Sequence, residues 1–312
     1  MNKKRKLISV SVNSRNEESI YRELLHALEK PLRAAEIDSV IKQFVVEKNL
    51  SFLGSSRIRS KAVKGGIHEV GLKWKGPTSR SLVHLYTSSS DKEINPLEIA
   101  IAFYPESYLC YQTALFWNEL TEQVPQTFYI GQERPESSSK GEIPESFDDF
   151  ELRDAFVKAP MEHKNVGTFG QYRYIILVRA YTGNAGVVSK KISFYGKKIT
   201  TSITGLERTL LDCISVPENA GGISNVIEAS RLGFKNIDID LFYKLYQKLG
   251  LKYPHWQRVG FLFDRLGYSN LANEWKNLFG YPKNKFFLTK GYKLGWDFDE
   301  VWSIYYPHGL FK

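Results

Sequence analysis

The stretch FLGSSRIRSKAVKGGIHEVGLKWKGP, residues 52–77, decides how the front of this chain is read. Ser55 or Ser56 can cap a short helix and Gly65-Gly66 can stop it, because a side-chain oxygen satisfies the first free amides and glycine tolerates the left-handed turn at the end. Within that helix Arg57, Lys61 and Lys64 recur at i, i+4 and i+7 and form one basic stripe, while Ile58 and Ala62 share the neighbouring apolar edge. The period then changes to two. His68, Val70, Leu72 and Trp74 point one way and Glu69, Lys73 and Lys75 the other, up to the Gly76-Pro77 turn. Val83 and Leu85 alternate back, which predicts a two-stranded hairpin with Lys73, Lys75 and Arg80 near its tip.

Upstream, Ile20, Leu24, Leu25 and Leu28 fall at helical spacing between Asn16 and Pro31, and Ile37, Val40, Ile41, Phe44 and Val45 mark a second helix from about 33 to 48. Three helices followed by a hairpin is the order of a winged helix-turn-helix. In that arrangement the third helix reads base edges and the hairpin holds phosphate. The expected DNA-facing residues are Arg57, Arg59, Lys61, Lys64, Lys73, Lys75 and Arg80. Double-stranded DNA is favoured over RNA because no aromatic stacking platform lies beside these cations, and Trp74 reads as hairpin core.

Charge placement agrees with that reading. Residues 1–90 hold 17 Lys and Arg against 8 Asp and Glu, an excess equal to the +9 of the entire 312-residue chain, so residues 91–312 are neutral. A compact basic unit on a neutral body suits binding driven by phosphate neutralisation and counterion release. The polar break SSSDKEINP, 88–96, supplies the expected boundary between a DNA-binding domain at 1–90 and a larger domain at 91–312. The expected fold class is α+β: an N-terminal winged helix-turn-helix, then a mixed α/β domain with a helical C-terminal part.

The second region turns apolar at PLEIAIAFYP and SYLCYQTALFWNEL, and QTFYI, YRYIILVRAY and GVVSKKISFYGKKITTSI read as strands. Residues 131–150, rich in Ser, Pro and Glu, read as an exposed excursion. Thr204 and Glu207 have the spacing of a capping box for the helix LERTLLDCI, on which Arg208 precedes Asp212 by four residues as an ion pair. Four later segments end at Gly233, Gly250, Gly267 and Gly280, each read as a helix with a left-handed glycine cap, and Tyr253-Pro254 is read as the start of the third. The two cysteines, Cys110 and Cys213, sit among apolar neighbours and read as buried free thiols. The start MNKKRKLISVSV is too short in its apolar part for a signal peptide, and no run approaches a membrane span. A soluble cytoplasmic protein is expected.

No phosphate loop, HExxH, CxxC, GxSxG or GxGxxG occurs, and the six histidines lack metal-ligand spacing. The best enzymatic alternative is a Mg²⁺-dependent nuclease built on Asp148, Asp149, Glu162 and Lys164. Pro160 and polar flanks speak against the apolar strand such a site needs. No catalytic residue, metal or cofactor is expected.

LERTLLDCISVPENAGGISNVIEA, 206–229, and YPHWQRVGFLFDRLG, 253–267, resemble the AbiEi antitoxin family of type IV, abortive-infection toxin-antitoxin systems. The shared features are the L-E-R-T-L-x-D helix of Leu206–Asp212, Pro217 with Gly221-Gly222, and Tyr253-Pro254 with Gly260. The resemblance implies an antitoxin whose winged-helix N-terminus represses its own operon and whose C-terminal domain counters a nucleotidyltransferase-like toxin; binding of the promoter as paired copies on inverted repeats is expected. It implies Glu207, Arg208, Asp212, Gly221, Gly222 and Tyr253 as the motif positions. A third possibility is a transcription factor whose body senses a small molecule.

Overall fold

The computed structural model describes residues 22, 24–29, 31–47, 68–75, 82–88, 94–103, 106–136, 147–291 and 294–311. The chain forms two compact units. The first comprises Met1–Pro105, Asn165–Arg173 and Ser193–Ile199; the second comprises Glu106–Lys164, Tyr174–Ile192 and Thr200–Lys312. The expected boundary after residue 90 falls inside the first unit. Two later segments return to that unit because residues far along the chain supply strands to it.

In the first unit residues 24–27 are helical, β1 is Leu32–Arg33, α1 is Ala34–Glu47, and β2 (His68–Lys75) and β3 (Leu82–Thr87) form an antiparallel hairpin. The expected second helix and hairpin are therefore present. Leu24, Leu28, Ile37 and Ile41 are buried, as their i, i+4 spacing dictates. The carbonyl of Leu28 accepts from the Ser88 amide at 2.8 Å and the Thr87 hydroxyl at 3.1 Å, which ties the end of the first helical segment to β3. A short helix follows at Pro96–Ile101 (α2), started by Asn95: its side chain accepts from the Leu97 amide at 2.9 Å while Glu98 accepts from the Asn95 amide at 3.3 Å. The predicted third helix, at 55–65, lies outside the described residues.

The second unit is mixed. Strands β4 (Tyr108–Leu109), β5 (Thr127–Glu133), β7 (Tyr172–Arg179), β8 (Val187–Phe194) and β9 (Lys197–Thr204) lie wholly or largely in it, and β6 (Val166–Phe169) belongs to the first. Among the described residues, the strand order is β1-β3-β2-β6 in the first unit and β7-β5-β4-β9-β8 in the second. Helices α3 (Tyr111–Trp117) and α4 (Asp149–Val157) precede a run of five: α5 (Leu206–Ser215), α6 (Ile223–Gly233), α7 (Ile239–Leu249), α8 (Trp256–Arg265) and α9 (Ser269–Phe279). A small sheet of β10 (Phe286–Phe287), β11 (Trp296–Asp299) and β12 (Ile304–Pro307) closes the chain. Trp275 is the centre of the helical core. It is 0% exposed and meets Phe242 at 5.5 Å, Phe263 at 6.0 Å and Phe279 at 4.7 Å between ring centroids. Tilted and edge-on rings of this kind bury large apolar area with favourable quadrupole alignment. Among the described residues no helix is long and apolar enough to cross a membrane.

Three local expectations are corrected. α5 is capped by Gly205 without a side-chain bond, because Thr204 still belongs to β9 and its hydroxyl pairs with Thr209 Oγ1 at 2.7 Å. Gly233 lies inside α6, where a Cβ would come within 2.8 Å of Leu210, so close packing explains it and a left-handed cap does not. α8 starts at Trp256, since Tyr253-Pro254 form an irregular approach in which the Pro254 carbonyl accepts from the Gln257 amide at 3.1 Å.

Candidate functional site

Lys73 carries what is described of the basic surface. Its side chain is exposed, and in the ladder Lys73 faces Leu82 on β3 and Thr168 on β6. Leu72, its neighbour, is 0% exposed, as a period of two requires. The hairpin is not a free wing: β6 pairs with the Lys73–Lys75 end of β2, so both neighbours hold that strand. Lys75 pairs with Val166 by its backbone. Arg57, Arg59, Lys61, Lys64 and Arg80 lie outside the described residues.

Two of the motif positions of the second unit, Arg208 and Asp212, meet as a buried ion pair. Arg208 and Asp212 are 0% and 1% exposed. The expected i, i+4 pair exists, with Arg208 Nε donating to Asp212 Oδ1 at 3.1 Å, but it lies inside the protein. Arg179 from β7 donates to the same oxygen at 2.7 Å and to the Tyr111 hydroxyl at 2.6 Å. Burial opposes the charge on Arg179, yet Asp212 and the surrounding phenols outweigh it and hold the guanidinium well above its usual pKa. Burial likewise pushes the Cys110 thiol up to about 12 and Cys213 well above its ordinary value, leaving both free cysteines protonated.

Arg208 is anchored on its other side by the turn between β7 and β8. Its Nη1 donates to the Ala185 carbonyl, and a Cβ on Gly186 would lie 2.7 Å from the Arg208 Cβ, so only glycine lets the two chains approach. Glu133 holds the turn from behind, accepting from the Thr182 hydroxyl, the Thr182 amide at 2.7 Å and the Asn184 amide at 3.1 Å. Burial raises the Glu133 pKa, but those donors prevail and keep it below the ordinary range.

The remaining motif residues have separate tasks. Glu207 accepts from the Asp238 amide at 3.2 Å and so serves the start of α7 rather than its own helix. Gly221 and Gly222, with φ of 82° and 101°, turn the chain from the 3₁₀ turn Pro217–Ala220 into α6. Arg258, inside the second resembling segment and missed from sequence, is 1% exposed. It donates to the carbonyls of Ile214 at 3.0 Å, Ser215 at 2.8 Å and Phe287 at 2.7 Å, satisfying the C-terminal end of α5. Its guanidinium lies 4.9 Å from the Phe286 ring centroid and 5.1 Å from that of Phe156.

The four residues of the nuclease alternative take separate places. Asp148 caps α4 through the Phe150 amide at 3.0 Å, Asp149 accepts from the Lys285 amide at 3.4 Å, and Glu162 and Lys164 are exposed. Among the described residues no group of three or more His, Cys, Asp and Glu side chains is arranged to hold a metal ion.

Tyr253 borders a cleft of about 280 Å³ in the second unit, walled by Tyr246, Trp256 and Phe279, with Lys252 and Lys283 at its edges. Trp256 and Phe279 stack with ring planes 5° apart, and Lys252 Nζ stands 5.4 Å from the Tyr253 ring centroid.

No protein-family model and no curated protein matches this sequence. Among solved structures, the crystal structure of the RV2827C protein from Mycobacterium tuberculosis superposes with a TM-score of 0.52 over 95% of this chain and 91% of that one, at 11% sequence identity. At that identity the likeness is one of fold, and it shows a mixed α+β architecture shared over nearly the whole chain.

Proposed function

We propose that this chain is a non-enzymatic, cytoplasmic, DNA-binding antitoxin. Its first ninety residues grip the promoter of its own operon at inverted repeats, in the manner of a winged helix-turn-helix, and its second unit counters a nucleotidyltransferase-like toxin encoded beside it. The observation that carries the reading is the location of charge: all of the +9 excess lies in residues 1–90, and Lys73 stands exposed on a strand held from both sides. The resemblance of 206–229 and 253–267 to AbiEi antitoxins supplies the partner. Those two segments pack on one another through Arg258 and the end of α5.

The test uses the full chain. Cells expressing the neighbouring open reading frame should stop growing and should recover when this protein is co-expressed; a neighbour that is harmless, or toxic without rescue, refutes the antitoxin reading. On promoter DNA, contact with about five phosphates gives a slope of log K against log salt near ~−4.5. Binding indifferent to salt refutes the DNA part. A sensor of small molecules is the second reading, favoured by the cleft beside Tyr253.

A further inference from the structure

Two later stretches of chain fold into the first unit, Asn165–Arg173 and Ser193–Ile199. Between them they bring one Arg and two Lys and no Asp or Glu, so the basic character of that unit does not end at residue 90. Lys197 is held by Glu98 at 3.2 Å. Arg173 is exposed at the start of β7, and the strand register decides which residues stand beside it.

β2 and β6 run antiparallel with Lys73 opposite Thr168 and Trp74 opposite Gly167. β6 and β7 are neighbours in the sheet and are joined by Gly170-Gln171 alone, with Gly170 at φ 56°. A two-residue turn with glycine first closes an antiparallel hairpin. Phe169 therefore faces Tyr172, and Thr168 faces Arg173. Residues directly opposite in antiparallel strands carry their side chains on the same face, so Lys73, Thr168 and Arg173 form one row across three strands. Burial follows that row. Leu72, Gly167 and Tyr174, one step along each strand, are buried, while Lys73 and Arg173 are exposed and Thr168 is half-buried between them. The hairpin end is tied down by the Tyr172 hydroxyl, 2.8 Å from that of Tyr195 in the other returning stretch. With strands about 4.8 Å apart, the two cations stand about 10 Å from each other at the backbone.

The major groove of a duplex admits a helix or a two-stranded ribbon. A face of four strands, β3-β2-β6-β7, is too broad to enter it and meets the phosphate backbone instead. There, one negative charge occurs per about 1.7 Å of helix axis, so two long cationic side chains about 10 Å apart each reach a phosphate. We propose that Arg173 belongs to the DNA-binding surface of the first unit and contacts a phosphate of double-stranded DNA alongside Lys73. The inference rests on the DNA-binding part of the proposed function and is independent of antitoxin activity.

Fluorescence anisotropy on the full chain tests it, with a duplex of the chain's own promoter and an unrelated duplex of equal length, each titrated over a salt series. Arg173→Gln should make the slope of log K against log salt shallower by about 0.9 on both duplexes, because a phosphate contact carries no sequence information. With Lys73→Gln added, the change should reach about 1.8. Arg173→Lys keeps the charge and should keep the parent slope. Lys244→Gln, which removes an exposed cation from α7 of the second unit, should leave the slope unaltered. All three positions are exposed, so the variants should keep the parent's thermal unfolding. A parent slope that survives Arg173→Gln overturns the inference and leaves the DNA reading standing. So does an equal change from Lys244→Gln, which would make the effect one of overall charge, or a loss confined to the promoter duplex, which would make Arg173 a reader of bases. A parent that binds neither duplex overturns the DNA reading and this inference with it.

Discussion

Lys73 of the first unit and the arginine cluster of the second use charge in opposite ways. Lys73, one of several described cations of its unit, projects into solvent from a strand paired on both sides, and the excess of positive residues is unneutralised in sequence. In the second, Arg208, Asp212 and Arg258 are nearly inaccessible and every one of them is spent on a structural bond. A charge in water interacts weakly and is free to meet a partner; a charge out of water must be matched inside the fold. Exposure thus separates a cation open to solvent from a core in which similar residues are structural.

The sharpest way to break that comparison is Asp212→Asn. Both Arg179 and Arg208 lean on one oxygen of Asp212, so loss of its charge leaves buried guanidinium groups unmatched and should lower stability by about 3–5 kcal/mol in urea unfolding. A loss below about 1 kcal/mol would mean that the cluster is hydrated and belongs with the surface. Gly260→Ala should come next. A Cβ there would lie 2.0 Å from the Trp302 ring, and overpacking of this kind costs about 1–3 kcal/mol. A neutral result would show that Trp302 can move, and that the second resembling segment is looser than its burial indicates.

A pH series probes the same interior. Burial, then the nearby charges of Arg258 and Lys290, holds His255 well below its usual 6.5. The unfolded chain takes up a proton near 6.5 while the folded chain does not. Stability should therefore fall as pH drops below that value, by up to about 1.4 kcal/mol per pH unit, until the folded imidazole also titrates. His255→Gln should flatten this part of the profile; an unchanged slope would remove His255 as its cause. Lys73→Glu should have the smallest effect on folding, within about 0.5 kcal/mol. Its effect should appear on promoter DNA, as weaker binding and a salt slope shallower by about 0.9. Unaltered DNA binding would detach Lys73 from the interface.

Helices 34–47, 206–215 and 239–249 and the strands at 68–75, 82–87 and 172–204 were legible because each has one apolar face, and a face imposes a period. The Arg208–Asp212 pair was legible for the same reason, as a spacing along one helix. Its burial was not, because Arg179, Tyr108 and Tyr111 approach from other elements. Glu207 shows the limit most simply. Three residues after Thr204 it suits a local cap, yet it meets Asp238, 31 residues away. The cleft beside Tyr253 gave no signal at all, since its walls come from four separate stretches.

Sequence alone determined where the net charge resides and which segments are amphipathic. Periodicity and composition are properties of short stretches, so short stretches suffice to read them. Only the tertiary structure decided that β6 closes on the basic strand β2, that Arg258 finishes a helix more than forty residues before it, and which ion pair is dry. Each of those depends on desolvation and on partners distant along the chain, and burial is set by the packed whole.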